Sequence, residues 1–188
     1  MIPKGIEKDM DYKLLTSLSE DTRETIESLL RGHNNSHNSG FFAARDLEEN
    51  SPKPLNVVVY DKSGSVVGGL IAKTQFLWLK VSIMAVAESA RQQGIGRRLL
   101  EMAEHEAITR GCRHAFLDTL DYQAPDFYRK LGYQIAGKLA NWDSHGHTKY
   151  LFTKQLSIDS LPRPTDIETS EKSSRCMKSS TRPTYLGS

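Results

Sequence analysis

The feature that most constrains the fold is an apolar run that ends in a glycine-containing turn and leads into a helix. Residues 86–97 read VAESARQQGIGR, with Gly94 and Gly96 at the start of the helical pattern. Apolar residues then recur at helical spacing up to Gly111. The first backbone N–H groups of a helix have no intrahelical partner, and glycines let an anion approach them closely. The turn is therefore either a phosphate-binding loop or simply a tight connection between a strand and a helix.

Two common nucleotide-binding motifs do not fit this turn. Leu99 stands where a dinucleotide-binding fingerprint has its third glycine. No Gly-Lys-Ser/Thr sequence follows, so the turn is not a P-loop. Glycine spacing alone therefore leaves both interpretations of the turn open.

The remaining pattern predicts a mixed sheet with helices on its faces. A turn at residues 61–64 separates two apolar runs, which predicts a β-hairpin, and a strand–helix–strand crossover follows. The predicted strands are 12–18, 55–60, 66–72, 76–86, 114–120, 133–137 and 149–156. The predicted helices are 21–31, 94–111 and 125–131, with 33–40 a loop and 41–47 either a short helix or a connector. The fold class is α/β in the broad sense (α+β), with a mostly antiparallel sheet of six or seven strands.

The end of the chain differs in composition from the rest. Residues 157–188 are rich in Ser, Thr, Pro and charged side chains and show no periodicity. Such a segment cannot bury enough apolar surface to offset the entropy of ordering it. We therefore predict one folded domain at residues 1–156 and a disordered tail at 157–188.

Composition argues against several classes of partner. The formal net charge is +2 and there is no long run of Lys and Arg, so nothing indicates nucleic-acid binding. No segment approaches the roughly 20 apolar residues of a membrane span, and the polar N-terminus is unlike a signal peptide. Cys112 and Cys176 lack the spacing of a zinc site or a redox pair. We expect no membrane and no metal, and a reduced, cytoplasmic protein.

Two segments together resemble the signatures of the GNAT family of N-acetyltransferases. Residues 91–96, RQQGIG, resemble the Arg/Gln-x-x-Gly-x-Gly/Ala motif that binds the pyrophosphate of coenzyme A. Residues 124–133, APDFYRKLGY, resemble the second signature, Ala-x-x-Phe-Tyr-x-Lys-x-Gly-Phe/Tyr. The two motifs occur in the family's order, and the resemblance covers residues 12–156. It implies a GNAT fold and the direct transfer of an acetyl group from acetyl-CoA to an amine.

The resemblance also implies a cofactor site. In the family, the strand that carries Met84, Ala85 and Val86 splays from its neighbour with the help of a bulge, and its free backbone groups pair with pantetheine. Asp121 falls where many relatives have an asparagine that contacts pantetheine, and this departure leaves that contact open. The other residues implied to bind the cofactor are Arg91, Gln92, Gln93, Gly94, Ile95, Gly96, Arg97, Ala124 and Tyr128. For Arg97 the alternative is a solvated helix face.

The catalytic groups are expected at the same end of the sheet. Tyr128 aligns with the family's tyrosine that protonates the leaving thiolate, and the alternative is an aromatic that only packs in the core. The amide of Val86 is implied to stabilise the oxyanion. For the base that accepts the amine proton, the candidates are Glu88, Asp118 and Asp121, each of which is alternatively structural or solvated. His145 and His147 are typical of loop residues rather than metal ligands, with a position in the acceptor pocket as the alternative.

The acceptor is the least constrained part of the prediction. The absence of an attached recognition module favours a small amine, such as a polyamine, an amino acid or an amino-sugar antibiotic. The alternative within the enzyme class is a protein lysine or N-terminus. From another class, the alternative is a catalytically silent module that binds coenzyme A. The oligomeric state is open, with a homodimer among the alternatives.

Overall fold

A computed structural model describes residues 10–157 of the chain. The described residues divide into two compact units, one that ends at Ser51 and one that begins at Pro52, and each is described by itself. The predicted tail lies outside the described residues, apart from Ser157.

The described residues of the first unit, 10–51, form two helices. Helix α1 (Glu20–His37) begins at Ser19, whose hydroxyl accepts a hydrogen bond from the amide of Thr22 and so caps the helix. Helix α2 (Ser39–Arg45) follows after Asn38, and a 3-10 turn (Glu48–Asn50) ends the unit. The short helix predicted as one alternative for residues 41–47 is thus present as α2.

Two sequence predictions for the first unit are wrong. Residues 12–18 form no strand in the structure, and a single short run has no strand beside it to satisfy its backbone groups. Residues 33–40 are not a loop, because α1 continues to His37 and α2 starts at Ser39. Asn38 joins the two helices: its amide donates to the Asn34 carbonyl, and its side chain accepts from the Phe41 amide. Polar composition there reflects capping rather than a break in helical structure.

Residues 52–157 of the second unit form a six-stranded mixed sheet with two helices. Its elements are β1 (Lys53–Tyr60), β2 (Val66–Gln75), β3 (Trp78–Val86), α3 (Ile95–Thr109), β4 (His114–Leu120), α4 (Pro125–Lys130), β5 (Gln134–Leu139) and β6 (Lys149–Gln155). The strand order is β1-β2-β3-β4-β6-β5. The β3–β4 pair is parallel and the other pairs are antiparallel. The predicted mixed, mostly antiparallel sheet is confirmed.

The core of this unit lies between α3 and one face of the sheet. Alternate residues on the strands point to α3, so their side chains are buried while their neighbours in sequence are more exposed. Helix α3 presents an apolar stripe to the same space. The largest fully buried side chains are Leu70, Leu79, Leu99, Leu100, Leu117 and Phe152. Each contributes on the order of 2 kcal/mol by leaving water, and together they fix α3 across the strands.

One buried charged group lies in this core. Glu104 on α3 is 5% exposed, and its carboxylate accepts hydrogen bonds from the Tyr133 hydroxyl (2.9 Å) and from Lys154 Nζ (2.7 Å). Burial, followed by the nearby charge of Glu104, raises the pKa of Tyr133 far above its ordinary value, so the phenol stays a donor. The three side chains tie α3 to the strand β6 and to the residue that precedes β5.

Replacing Glu104 with alanine should lower the free energy of unfolding by about 3 kcal/mol, because it leaves Lys154 with a largely buried, uncompensated charge. Glu106→Ala is the matched control, since it breaks a more exposed ion pair with Arg110, the residue that follows the same helix (2.7 Å), and should cost less than about 1 kcal/mol. Urea denaturation measures both. Equal effects of the two substitutions would contradict a stabilising role for the buried carboxylate.

Candidate functional site

A slot opens between the two central strands of the sheet. Strands β3 and β4 pair only at their first residues, with Trp78 opposite His114 and Lys80 opposite Phe116. Beyond this point β3 continues to Val86 and β4 to Leu120 without pairing with each other. The slot is therefore closed at the N-terminal ends of the strands and open at their C-terminal ends. The splayed central strands implied by the resemblance are present.

A bulge at Ser82 sets which residues of β3 face this slot. Ile71 lies opposite Ile83, whereas the next residue of β2, Ala72, lies opposite Val81, so Ser82 is the extra residue. In a bulge of this kind the extra residue has no partner and the strand bends. The bulge coincides with the part of β3 that leaves β4.

The backbone groups of two residues of β3 point into the slot. The amide of Ala87 donates to the carbonyl of Val67 (2.8 Å). Bonded and non-bonded positions alternate along an antiparallel pair, so Ala85 also bonds to β2. Met84 and Val86 therefore direct their backbone N–H and C=O groups away from β2. Of these groups, the carbonyl of Val86 already accepts a hydrogen bond from Arg91 Nε (3.2 Å). The N–H of Val86 is therefore the group of this residue that can bind a ligand.

A row of backbone amides lies at the open end of the slot. In the described part of the chain, the N–H groups of residues 92–97 have no acceptor, and the amide of Arg98 is the first to bond into α3, at 3.0 Å from the Gly94 carbonyl. Gly94 has a φ of +78°, a conformation that a side chain disfavours. A helix N-terminus with several free N–H groups attracts anions, phosphates above all.

Gly96 lies where three elements meet. A β-carbon at this position would lie 3.4 Å from the ring of Phe127 on α4 and 4.0 Å from Cγ2 of Val86. The start of α3, the end of β3 and the helix α4 therefore pack together here. The two sequence motifs, separate in the chain, form one site.

Tyr128 packs beside this site with its hydroxyl toward solvent. Its side chain is 8% exposed, and its ring lies 6.0 Å from those of Tyr133 and Phe152. Among residues 10–157 its hydroxyl has no hydrogen-bond partner, and no fully buried side-chain oxygen there lacks one, so the hydroxyl reaches the surface. Burial, and then the charge of Asp118, raise the pKa of Tyr128. The phenol is therefore protonated at neutral pH.

The predicted acidic residues occupy different positions around the slot. Glu88 is exposed and starts a 3-10 turn (Glu88–Ala90) just after β3. Asp118 on β4 forms an ion pair with Lys149 (2.9 Å). Asp121, just past β4, accepts hydrogen bonds from the amide of Thr148 (2.8 Å) and from His147 Nδ1 (2.9 Å). Both of its oxygens are thus engaged by the segment before β6.

The segment between β5 and β6 contributes residues that the sequence did not bring together. Lys149 Nζ lies 4.4 Å from the ring centre of Trp142 in addition to its pairing with Asp118. Asp143 accepts hydrogen bonds from the amides of His145 and His147, chiefly the former, and these lower its pKa. His145 bonds only within this segment, whereas His147 reaches the end of β4. These long-range pairs have no signal in the sequence pattern.

The remaining predicted site residues lie around the same end of the sheet. Arg97, in the first turn of α3, lies 4.0 Å from Glu101. Ala124 is the half-buried residue that precedes α4. Within residues 10–157 no three His, Cys, Asp or Glu side chains are grouped as metal ligands would be. Over the same residues, no helix has the length and apolar character to cross a membrane.

Comparison with known proteins agrees with this geometry. Residues 53–135 match the acetyltransferase (GNAT) domain family. A blasticidin-S acetyltransferase of Streptomyces morookaense is 37% identical over 94 residues, which cover 50% of this chain and 68% of that protein. The chain belongs to the GNAT family. An acetyltransferase of Agrobacterium fabrum is 40% identical over 91 residues, covering 48% of this chain and 66% of the relative. The chain thus matches about two thirds of the length of these relatives.

Solved structures share the GNAT fold. An acetyltransferase from Bacillus cereus superposes with a TM-score of 0.61 at 28% identity, covering 77% of this chain and 98% of that one. A structure from Bacillus anthracis in complex with acetyl coenzyme A has a TM-score of 0.51 at 18% identity, covering 57% and 65% of the two chains. GNAT acetyltransferases use acetyl-CoA. The free amides of residues 92–97 and the splayed strands fit a diphosphate and an amide-containing arm.

Proposed function

We propose that this GNAT protein transfers the acetyl group of acetyl-CoA directly to a primary amine of a small molecule. The observation that carries the proposal is the coincidence of two features at one end of the sheet. The slot between β3 and β4 offers the backbone groups of Met84 and Val86, and residues 92–97 offer a row of free amides beside it.

The residues implied to hold acetyl-CoA divide into two groups by position. The loop of Arg91, Gln92, Gln93, Gly94, Ile95 and Gly96 would bind the diphosphate through main-chain amides, with Arg97 beside it. Met84 and Val86 would pair with the pantetheine amides as a missing strand does. The contacts of Ala85, Asp121 and Ala124 with acetyl-CoA stay predictions. The backbone of Ala85 is hydrogen-bonded to β2, and both carboxylate oxygens of Asp121 are engaged, so the structure adds no support for these two.

The chain's own groups supply the acid and the oxyanion donor. Acetyl-CoA brings a thioester carbonyl for the amine to attack. The N–H of Val86 faces the slot and would stabilise the negative charge that develops on the carbonyl oxygen. Tyr128, protonated at neutral pH and open to solvent, would donate a proton to the departing sulfur. Glu88 and Asp118 stay candidates for the base.

The side chains around Lys149 offer an aromatic surface to the acceptor. The ring of Trp142 lies 4.4 Å (to its centre) from the ammonium group of Lys149, which is itself paired with the carboxylate of Asp118 (2.9 Å). Trp142 and Tyr122 are 53% and 60% exposed and present further aromatic surface. The relative from Streptomyces morookaense is named for a small molecule, blasticidin S. These points favour a small amine over a protein substrate.

An assay of coenzyme A thiol release with a panel of amines tests the proposal. We expect release with one or more of the small cationic amines, such as polyamines and aminoglycosides, and little with lysine-containing or N-terminal peptides. Turnover confined to peptides would replace the small acceptor with a protein substrate. Tight acetyl-CoA binding without release for any amine would instead indicate a silent binding module. The homodimer stays a prediction, to be tested by sedimentation.

A further inference from the structure

His147 and Asp121 form a hydrogen-bonded pair at the open end of the slot, with His147 Nδ1 2.9 Å from Asp121 Oδ1. We propose that Nε2 of His147 accepts a proton from the ammonium group of the acceptor, and that Asp121 positions the ring. This inference rests on the proposed acetyl transfer to an amine. It assigns the base that the acceptor chemistry requires.

The hydrogen bond to Asp121 fixes the protonation of the imidazole ring. A carboxylate only accepts hydrogen bonds, so Nδ1 of His147 carries the hydrogen and the neutral ring has its lone pair on Nε2. The amide of Thr148 is the largest cause that lowers the pKa of Asp121, with His147 a further one. Asp121 is therefore ionised at neutral pH and holds the ring in the tautomer that a base needs.

The pair is held from both sides. The amide of Asp121 donates to the carbonyl of Thr148 (3.0 Å), while Thr148 donates back to Asp121 Oδ2 (2.8 Å). The amide of His147 donates to Asp143 Oδ1 (3.2 Å), and the ring of Tyr122 meets the imidazole edge-on at 4.7 Å between centres. The titratable groups in contact with His147 are thus Asp121, Asp143 and Tyr122. The position of the ring is determined before any substrate binds.

The topology places His147 at the mouth of the slot. Leu120, the last residue of β4, lies opposite Lys149 of β6. His147 therefore lies just beyond the C-terminal end of β4, at the end where the slot is open and where β3 delivers Val86. The side chain of His147 is 43% exposed, so a ligand in the mouth of the slot has access to Nε2.

The other candidate bases are less suited to this task. The carboxylate of Asp118 is already paired with the ammonium group of Lys149 (2.9 Å), so it is engaged before an acceptor binds. Glu88 lies two residues after Val86, the last residue of β3, on the segment that leads into the free amides proposed to bind the cofactor. His147, in contrast, keeps a lone pair on Nε2 while its Nδ1 donates to Asp121.

His147 and Tyr128 together account for every proton that moves in the reaction. His147 Nε2 takes one proton from the ammonium group, and the neutral nitrogen forms a bond to the thioester carbon. When the carbon–sulfur bond breaks, Tyr128 donates its proton to the sulfur. The phenolate then takes one of the two protons on the nitrogen, and the other remains as the N–H of the amide. His147 releases its proton to solvent. The sum is an ammonium and a thioester giving an amide, a thiol and one free proton.

The substitution His147→Asn tests this assignment, because the asparagine side chain retains a donor to Asp121 but has no atom at the Nε2 position. With an amine that the wild type acetylates, we expect kcat to fall about 100-fold with acetyl-CoA affinity unchanged by calorimetry. In a plot of kcat/KM against pH, the decrease at low pH that a base produces in the wild type should disappear or move in the variant. Added imidazole should restore part of the rate. His145→Asn in the same segment is the matched control and should retain wild-type kinetics.

Each contrary result has a distinct meaning. A wild-type kcat and pH profile in His147→Asn would overturn this assignment while leaving the acetyltransferase proposal intact. An equal loss in both histidine variants would show that the packing of the segment matters, and would also overturn it. Loss of the acid limb in Asp118→Asn but not in His147→Asn would assign the base to Asp118. A wild-type protein that acetylates no amine would overturn both proposals together.

Discussion

Replacing Gly96 with aspartate should abolish acetyl-CoA binding while the protein stays folded. The new side chain would leave Gly96 toward the ring of Phe127, and its carboxylate would bring a negative charge next to the free amides of residues 92–97. Its charge would also repel the diphosphate. Negative side chains in the first turn of a helix are favourable for the helix itself, so the loss should be specific to binding. We expect the dissociation constant measured by calorimetry to rise by more than about 100-fold.

The control for this substitution is Gly96→Ala. A β-carbon at Gly96 lies 3.4 Å from the Phe127 ring, which is a tight contact without a charge. Alanine should therefore weaken binding far less than aspartate does. If Gly96→Asp binds acetyl-CoA normally, or if both variants lose binding equally, the free amides are not the diphosphate site.

Tyr128→Phe should reduce kcat about 100-fold and leave acetyl-CoA affinity within a factor of two. The hydroxyl has no partner among the described residues, so its removal costs no internal hydrogen bond. The raised pKa keeps the wild-type phenol protonated through neutral pH, and activity should decline only where the solution becomes alkaline enough to ionise it. Steady-state kinetics against pH, with thermal denaturation as a check of folding, measures these effects.

Tyr150→Phe is the matched control, because Tyr150 packs against the same Phe152 ring (6.2 Å between centres). It should retain wild-type turnover. A Tyr128→Phe enzyme with unchanged kcat would remove Tyr128 from the role of acid and leave it as a packing residue.

The parts of the fold that the sequence predicts well are those with strong local signals. Strand β4 was predicted at its observed bounds, and α3 within a residue or two, because an apolar stripe, a glycine stop and short connections all agree there. The first unit was predicted poorly. Alternation in residues 12–18 is too short to distinguish a strand from an extended segment, and the Asn38 cap between α1 and α2 resembles a loop in composition.

In the candidate site, too, the sequence predicts the contiguous motifs but not the contacts between distant segments. The loop at residues 91–96 and the helix that carries Tyr128 are contiguous motifs, so their positions follow from the chain itself. The pairs His147–Asp121 and Lys149–Asp118 join segments that are far apart in sequence. They depend on the antiparallel register of β4 with β6, which single-sequence patterns do not determine.

The extra residue at Ser82 acts as a phase shift along β3. If all of β3 paired in the register of residues 78–81 with no bulge, Met84 and Val86 would take the bonded positions opposite β2, and Ile83 and Ala85 would turn their peptide groups outward instead. The direction of every peptide group that lines one wall of the slot is thus encoded by a single inserted residue. A variant of the same length that lost the bulge would therefore present the opposite set of peptide groups to the ligand.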